Sequence, residues 1–190
     1  MLSDNIDIDF AKAVRPLQIV IIAMSVGVLA FLAVTIVLPA NISSRLPNFP
    51  ILTYLAIGLT LIQLIARKLI LKVTLEKTLR ALAQGTTPSI SPKATPFSAK
   101  FLQENKEFGV LYVAFVKRTI LGAALIEGPA FFSVAVYLIE RNPVALVLAV
   151  LLALRVTYQM PSASKMKTWL RTQLARVEQL KNEGSGNTGV

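Results

Sequence analysis

LQIVIIAMSVGVLAFLAVTIVLPA, residues 17–40, runs for 24 residues without a charge. A helix rises about 1.5 Å per residue and a bilayer's hydrocarbon core is about 30 Å thick, so roughly 20 such residues cross it. The apolar residues fill the run as a block. They neither alternate, as in a half-buried strand, nor recur as the single stripe of a surface helix, and this pattern makes lipid the expected solvent. Asp4, Asp7 and Asp9 precede it. A secretory signal peptide has a basic start and a hydrophobic region of only about 7–15 residues, so the run is expected to be a retained span.

Three further runs have the same character. Leu46 to Ala66 is free of charge and opens with Pro47 and Pro50. Proline costs little at a helix start, where its missing N–H has no partner to lose. Thr119 to Ile139 holds one charge, Glu127, and Pro143 to about Met160 holds Arg155 near its end. The whole chain fits this reading. It is 54% hydrophobic with a mean hydropathy of +0.63, and only 16% of it is charged, against about a quarter in a soluble domain. There is no Cys and no His. Thiol chemistry, disulfides, the usual zinc and haem ligands and Ser-His-Asp catalysis are therefore excluded.

The basic residues set the expected orientation. Lys12 and Arg15 precede the first run, ten basic residues lie between Arg67 and Arg118, and six lie from Arg155 onward. The two short connections hold only Arg45 and Arg141, so eighteen of twenty fall on one side. The positive-inside rule puts both termini and the long loop in the cytoplasm. The net charge of +10 is then a signal for topology and anionic lipid headgroups, and nucleic acid is not an expected partner.

The expected architecture is all-α: a four-helix transmembrane bundle of two tandem hairpins with cytoplasmic amphipathic helices. Residues 1–85 form the first hairpin and its extension. Residues 86–98 form a linker, because Pro88, Pro92 and Pro96 stand four apart among Ser and Thr and no helix tolerates that spacing. Residues 99–161 hold an amphipathic helix capped by Ser98 and the second hairpin. Residues 162–190 hold a last helix, capped by Ser162 or Ser164 and ending at Gly184, and a flexible tail. Phe101, Phe108, Leu111, Tyr112 and Phe115, and later Met166, Trp169, Leu170, Leu174, Val177 and Leu180, fall at helical spacing. These faces are expected to lie on the membrane surface.

The first and third runs align at an offset of 101, with Ala23, Gly27 and Phe31 over Ala124, Gly128 and Phe132. Small residues four apart let helices approach closely in lipid, so these six are expected packing positions of a parallel repeat. Glu127 stands nine residues beyond Arg118, about 13 Å along a helix and near the bilayer centre. A carboxylate there costs at least about 2.5 kcal/mol, so it should pair, face other helices or hold a proton. Arg155 and Gln63 are the candidate partners, with Thr60 and Ser133 as further donors. Glu127 is thus either a structural tie or a proton- or cation-binding group.

The stretch ILGAALIEGPAFFSVAVYL, residues 120–138, resembles the carboxylate-bearing helix of ATP synthase proteolipid (c) subunits. That resemblance implies that Glu127 is the proton-binding acid and that Arg118 belongs to the preceding basic loop. It covers about twenty of 190 residues; this helix is third of four, and each hairpin starts inside, opposite to the proteolipid hairpin. Over nearly its full length the chain resembles small bacterial four-span membrane proteins with an A-x-x-x-G-x-x-x-F first helix, a linker and an L-x-E-G third helix. This second resemblance implies the cytoplasmic (inner) membrane of a bacterium and no activity. The expected function is non-enzymatic and without a cofactor or metal: a structural or regulatory accessory subunit, or a homo-oligomer, that meets lipid, other membrane proteins or itself. The alternative is a proton or cation translocation component that uses Glu127.

Overall fold

The computed structural model describes residues 5–37, 50–86 and 106–186, and every regular element among them is helical. The helices are α1 (Asn5–Val37), α2 (Ile51–Ala83), α3 (Lys106–Glu140), α4 (Pro143–Tyr158) and α5 (Ala163–Gly186). Phe10–Val37, Ile51–Ala83 and Glu107–Glu140 are long and apolar enough to cross a membrane. The helices α4 and α5, joined at a 72° bend, meet the same criterion of length and hydropathy only as a pair. The 16 residues of α4 reach only about 24 Å.

The first three helices outrun their apolar stretches. At 33, 33 and 35 residues, each is about 50 Å long. Between Arg67 and Ala83 the chain is mostly Leu, Lys, Ala, Arg and Glu without Gly or Pro, so nothing breaks α2 where its hydropathy falls. It ends where Gly85 takes a φ of 71°, with Gly85 N–H bonded to Leu82 O and Thr86 N–H to Ala81 O. These are the two closing bonds of a glycine-terminated helix. At the head of α5, Ser162 is the cap, its Oγ accepting from Lys165 N–H at 3.2 Å. That helix continues through Gly184 to Gly186, within the usual spread of helix ends. Ser98, Phe101 and most of the 86–98 linker lie outside the described residues, as do Leu38–Ala40 and Leu46–Phe49.

Two compact units divide the chain. The charged unit comprises Met1–Leu17, Ile70–Thr119 and Pro161–Val190. Its core is apolar: Phe10, Val14, Leu17, Leu79, Leu82, Val110, Leu111, Phe115, Met166, Leu170 and Val177. Phe10 meets Phe108 edge-on at 5.7 Å, and Phe115 meets Trp169 at 5.3 Å. The faces expected to rest on the membrane surface are therefore covered by one another, because three long helices and α5 supply enough apolar area to close a core. Lys12, Arg15, Lys72, Lys77, Arg80, Lys117, Arg118, Arg171 and Arg176 stand exposed around it.

The apolar-faced unit comprises Gln18–Leu69 and Ile120–Met160. Ala123 and Ala130 of α3 and Ala149 and Ala153 of α4 are fully or nearly fully buried with Ile21, Val28, Ile126 and Val134. Small side chains there let helix backbones approach. Large apolar residues face outward instead, with Ile19, Ile62 and Leu154 each more than 60% exposed. Among the described residues, all the exposed large hydrophobic side chains but Ile70 and Val73 belong to this unit.

Candidate functional site

The inward side of α2 is its polar side. Thr53, Ala56, Thr60, Gln63 and Arg67 recur at spacings of three and four, which stacks them on one helix face. Thr53, Ala56 and Thr60 are buried, and Gln63 and Arg67 are half-buried. Tyr54, Leu55, Leu61, Ile62 and Ile65 occupy the exposed side. Arg67 Nη2 donates to Gln159 Oε1 at 2.6 Å. Gln63 Oε1 is buried and receives no hydrogen bond. Its amide lies beside Gly128, where an added Cβ would sit 3.8 Å from Oε1 and 3.9 Å from Nε2.

Glu127 stands next to that point. Its side chain is half-buried, and among the described residues no hydrogen bond or ion pair reaches its carboxylate. Arg155 is exposed in the last turn of α4 and makes no ion pair with it. The buried stripe Ala145, Ala149, Leu152, Ala153 and Val156 leaves Arg155 on the outward side with Leu151 and Leu154. Thr60 Oγ1 donates to Ala56 O at 2.7 Å and Ser133 Oγ to Pro129 O at 2.8 Å. Both hydroxyls are thus satisfied within their own helices, as Ser25 and Thr35 also are. Of the four polar groups expected around Glu127, Gln63 alone is brought beside its neighbour Gly128 with an acceptor to fill.

The repeat positions are not equivalent. A Cβ on Gly27 would meet Phe131 Cζ at 3.5 Å, and the Phe31 and Phe131 rings are 5.9 Å apart. Ala23, Ala124 and Gly128 are exposed, while Phe132 packs against the small cluster of Ala56, Val136 and Ala145.

Sequence reading missed the turn Glu140-Arg141-Asn142-Pro143. Glu140 Oε1 accepts from Leu52 N–H at 2.7 Å, and Oε2 accepts from Thr53 N–H at 3.0 Å and Thr53 Oγ1 at 2.6 Å. Arg141 Nη1 donates to Thr35 O at 2.9 Å, with its guanidinium 5.6 Å from the Tyr137 ring centre. Asn142 Oδ1 accepts from Val144 N–H at 2.9 Å and caps α4, with Pro143 in its first turn. An Asn-Pro pair signals a helix start, but nothing local shows that the two preceding charges act on other helices.

Among the described residues no group of three acidic side chains gathers that would hold a metal ion. No protein-family model matches the chain, and no curated protein or solved structure matches it either.

Proposed function

We propose that the chain is a small, non-enzymatic membrane protein that crosses the bilayer four times and serves as a structural or regulatory accessory subunit or as a homo-oligomer. The observation that carries this reading is the inverted surface of the apolar-faced unit, with Ile62 outward and Thr60 inward on one helix. Leaving a large apolar side chain in water forfeits about 1.5–3 kcal/mol. Two dozen such positions would outweigh the roughly 5–15 kcal/mol of a folded domain's stability, whereas in lipid they cost nothing. The fourth crossing is α4. Its shortfall against about 30 Å of hydrocarbon is met by local thinning and by Arg155 and Tyr158 at its end. The basic segments face the cytoplasm of a bacterium and its anionic headgroups.

Single cysteines placed at Ser43 and Ser89 of this Cys-free chain test the topology. An impermeant maleimide should label the first on intact cells and the second only after the membrane is opened; the reverse pattern would overturn it. Gentle detergent extraction tests the role, which requires co-purification with a membrane complex or a second copy. A lone monomer under every mild condition would contradict it.

One observation favours a second reading, proton or cation translocation. Among the described residues Gln63 Oε1 has no donor and the carboxylate of Glu127, a single intramembrane acid in this reading, has no hydrogen-bond or ion-pair partner. A proton on Glu127 would remove the charge of a carboxylate that lies in an apolar stretch of its helix. A hydrophobic carbodiimide should then modify Glu127 in membranes at neutral pH, and Glu127→Gln should abolish modification and proton flux in liposomes without loss of stability. An unmodified Glu127 together with no flux would dismiss the reading.

A further inference from the structure

Among the described residues, the end of α1 and the start of α2 carry no charged capping side chain of their own. The position before α2 is Pro50, whose carbonyl takes the first helical bond from Tyr54 N–H. Proline offers no side-chain acceptor, and the first turn of α2 holds no acid. The last turn of α1 holds no base. Each helix terminus leaves several N–H or C=O groups unsatisfied, and where water is scarce such groups are costly.

Both ends form hydrogen bonds with adjacent residues of one distant turn. Glu140 takes the amides of Leu52 and Thr53, the second and third helical positions, which an N-cap side chain ordinarily serves. Its negative charge also meets the positive end of the α2 dipole. Arg141 takes the carbonyl of Thr35, with positive charge at the negative end of α1. Arg141 holds a φ of 52°, a left-handed conformation that Gly or Asn usually fills at the end of a helix. An arginine kept there points to a need for its guanidinium. Asn142 then starts α4, so three successive residues serve the ends of three helices while closing a fourth.

We propose that Glu140-Arg141-Asn142 is a latch. It caps α1 and α2 from the second hairpin, and the first hairpin's outer end becomes fixed only when the second is in place. The latch belongs to the fold and stands whichever function of the protein is correct. Because these caps are supplied 88 and 106 residues away, chain made before Glu140 emerges lacks them.

Amide hydrogen exchange on the full chain in detergent reads the latch directly. In the native chain the Leu52 and Thr53 amides should exchange slowly, although no helical carbonyl serves them. Glu140→Ala should speed both by at least about ten-fold, what the loss of a hydrogen bond to a charged group gives, while the amides of Thr60 and Gln63 stay protected. Glu140→Gln, which retains one acceptor oxygen, should fall between. Arg141→Gly removes the guanidinium and the backbone strain together. A latch predicts faster exchange over the last turn of α1, whereas a merely strained turn would be relieved and leave that exchange unchanged. If Glu140→Ala leaves Leu52 and Thr53 slow, the latch is wrong. If it speeds exchange equally throughout α2, the residue supports the whole bundle and the local capping claim also fails.

Discussion

The two units are built from the same helices with opposite rules. In the charged unit Leu111, Phe115 and Leu170 are inside and Lys77, Lys117 and Arg171 outside, the arrangement expected where water is the solvent. In the apolar-faced unit Thr53, Thr60 and Ser133 are buried while Leu61, Ile62 and Leu154 are exposed. The helices α1, α2 and α3 each pass from one rule to the other without a break. The helices are continuous across both rules, and only the distribution of side chains records the difference. The same comparison explains how each unit closes its core. Large side chains, including the Phe115–Trp169 pair, fill the charged unit, where apolar burial stabilises. Small ones such as Ala123, Ala130, Ala149 and Ala153 line the other, where, on the proposed reading of this unit as lipid-embedded, close approach and dispersion must serve.

The comparison breaks first where a large residue is cut away. Leu111→Ala, at a fully buried site of the charged unit, should lower stability by about 2–5 kcal/mol. Leu61→Ala, on the outward side of α2, should change the same thermal transition little.

Charge gives the next effect. Ile62→Arg should cost about 2.5–3.5 kcal/mol in membrane insertion, read as the inserted fraction in a translocation assay. Lys77→Gln, exposed in the charged unit, should stay within about 0.5 kcal/mol. Equal effects at the two sites would mean that both surfaces meet the same solvent.

Most of the helical layout was legible because charge-free runs and basic flanks are local properties. The polar face of α2 was harder to see: Thr53, Thr60, Gln63 and Arg67 look like scattered interruptions until their three-and-four spacing is set against the exposed Ile and Leu between them. Depth along each helix makes Arg155 a candidate partner for Glu127. Depth ignores rotation, and the alanine stripe of α4 turns Arg155 away. The contacts of Glu140 and Arg141 were illegible for a different reason, since they join residues 87 to 106 positions apart and leave no periodic trace.

The smallest effect separates inside from outside within the apolar-faced unit. Gly27→Leu must displace the Phe131 ring, which already stands 3.5 Å from where a Cβ would lie, and should cost about 1–3 kcal/mol. Gly58 has nothing within 4 Å, so Gly58→Leu should be neutral or mildly stabilising, because glycine is a poor helix former. Thermal denaturation in detergent distinguishes them.

Water accessibility along α2 tests the central claim most directly. Single cysteines at Ile62, in the apolar-faced unit, and at Lys77, in the charged unit, would be exposed to an impermeant maleimide in intact cells and in inside-out vesicles. The account predicts that the cysteine at 77 reacts only in the vesicles, and that the cysteine at 62 reacts in neither until detergent dissolves the bilayer. Rapid labelling at 62 in intact membranes would show that its exposed apolar face meets water, and the reading of that unit as lipid-embedded would be contradicted.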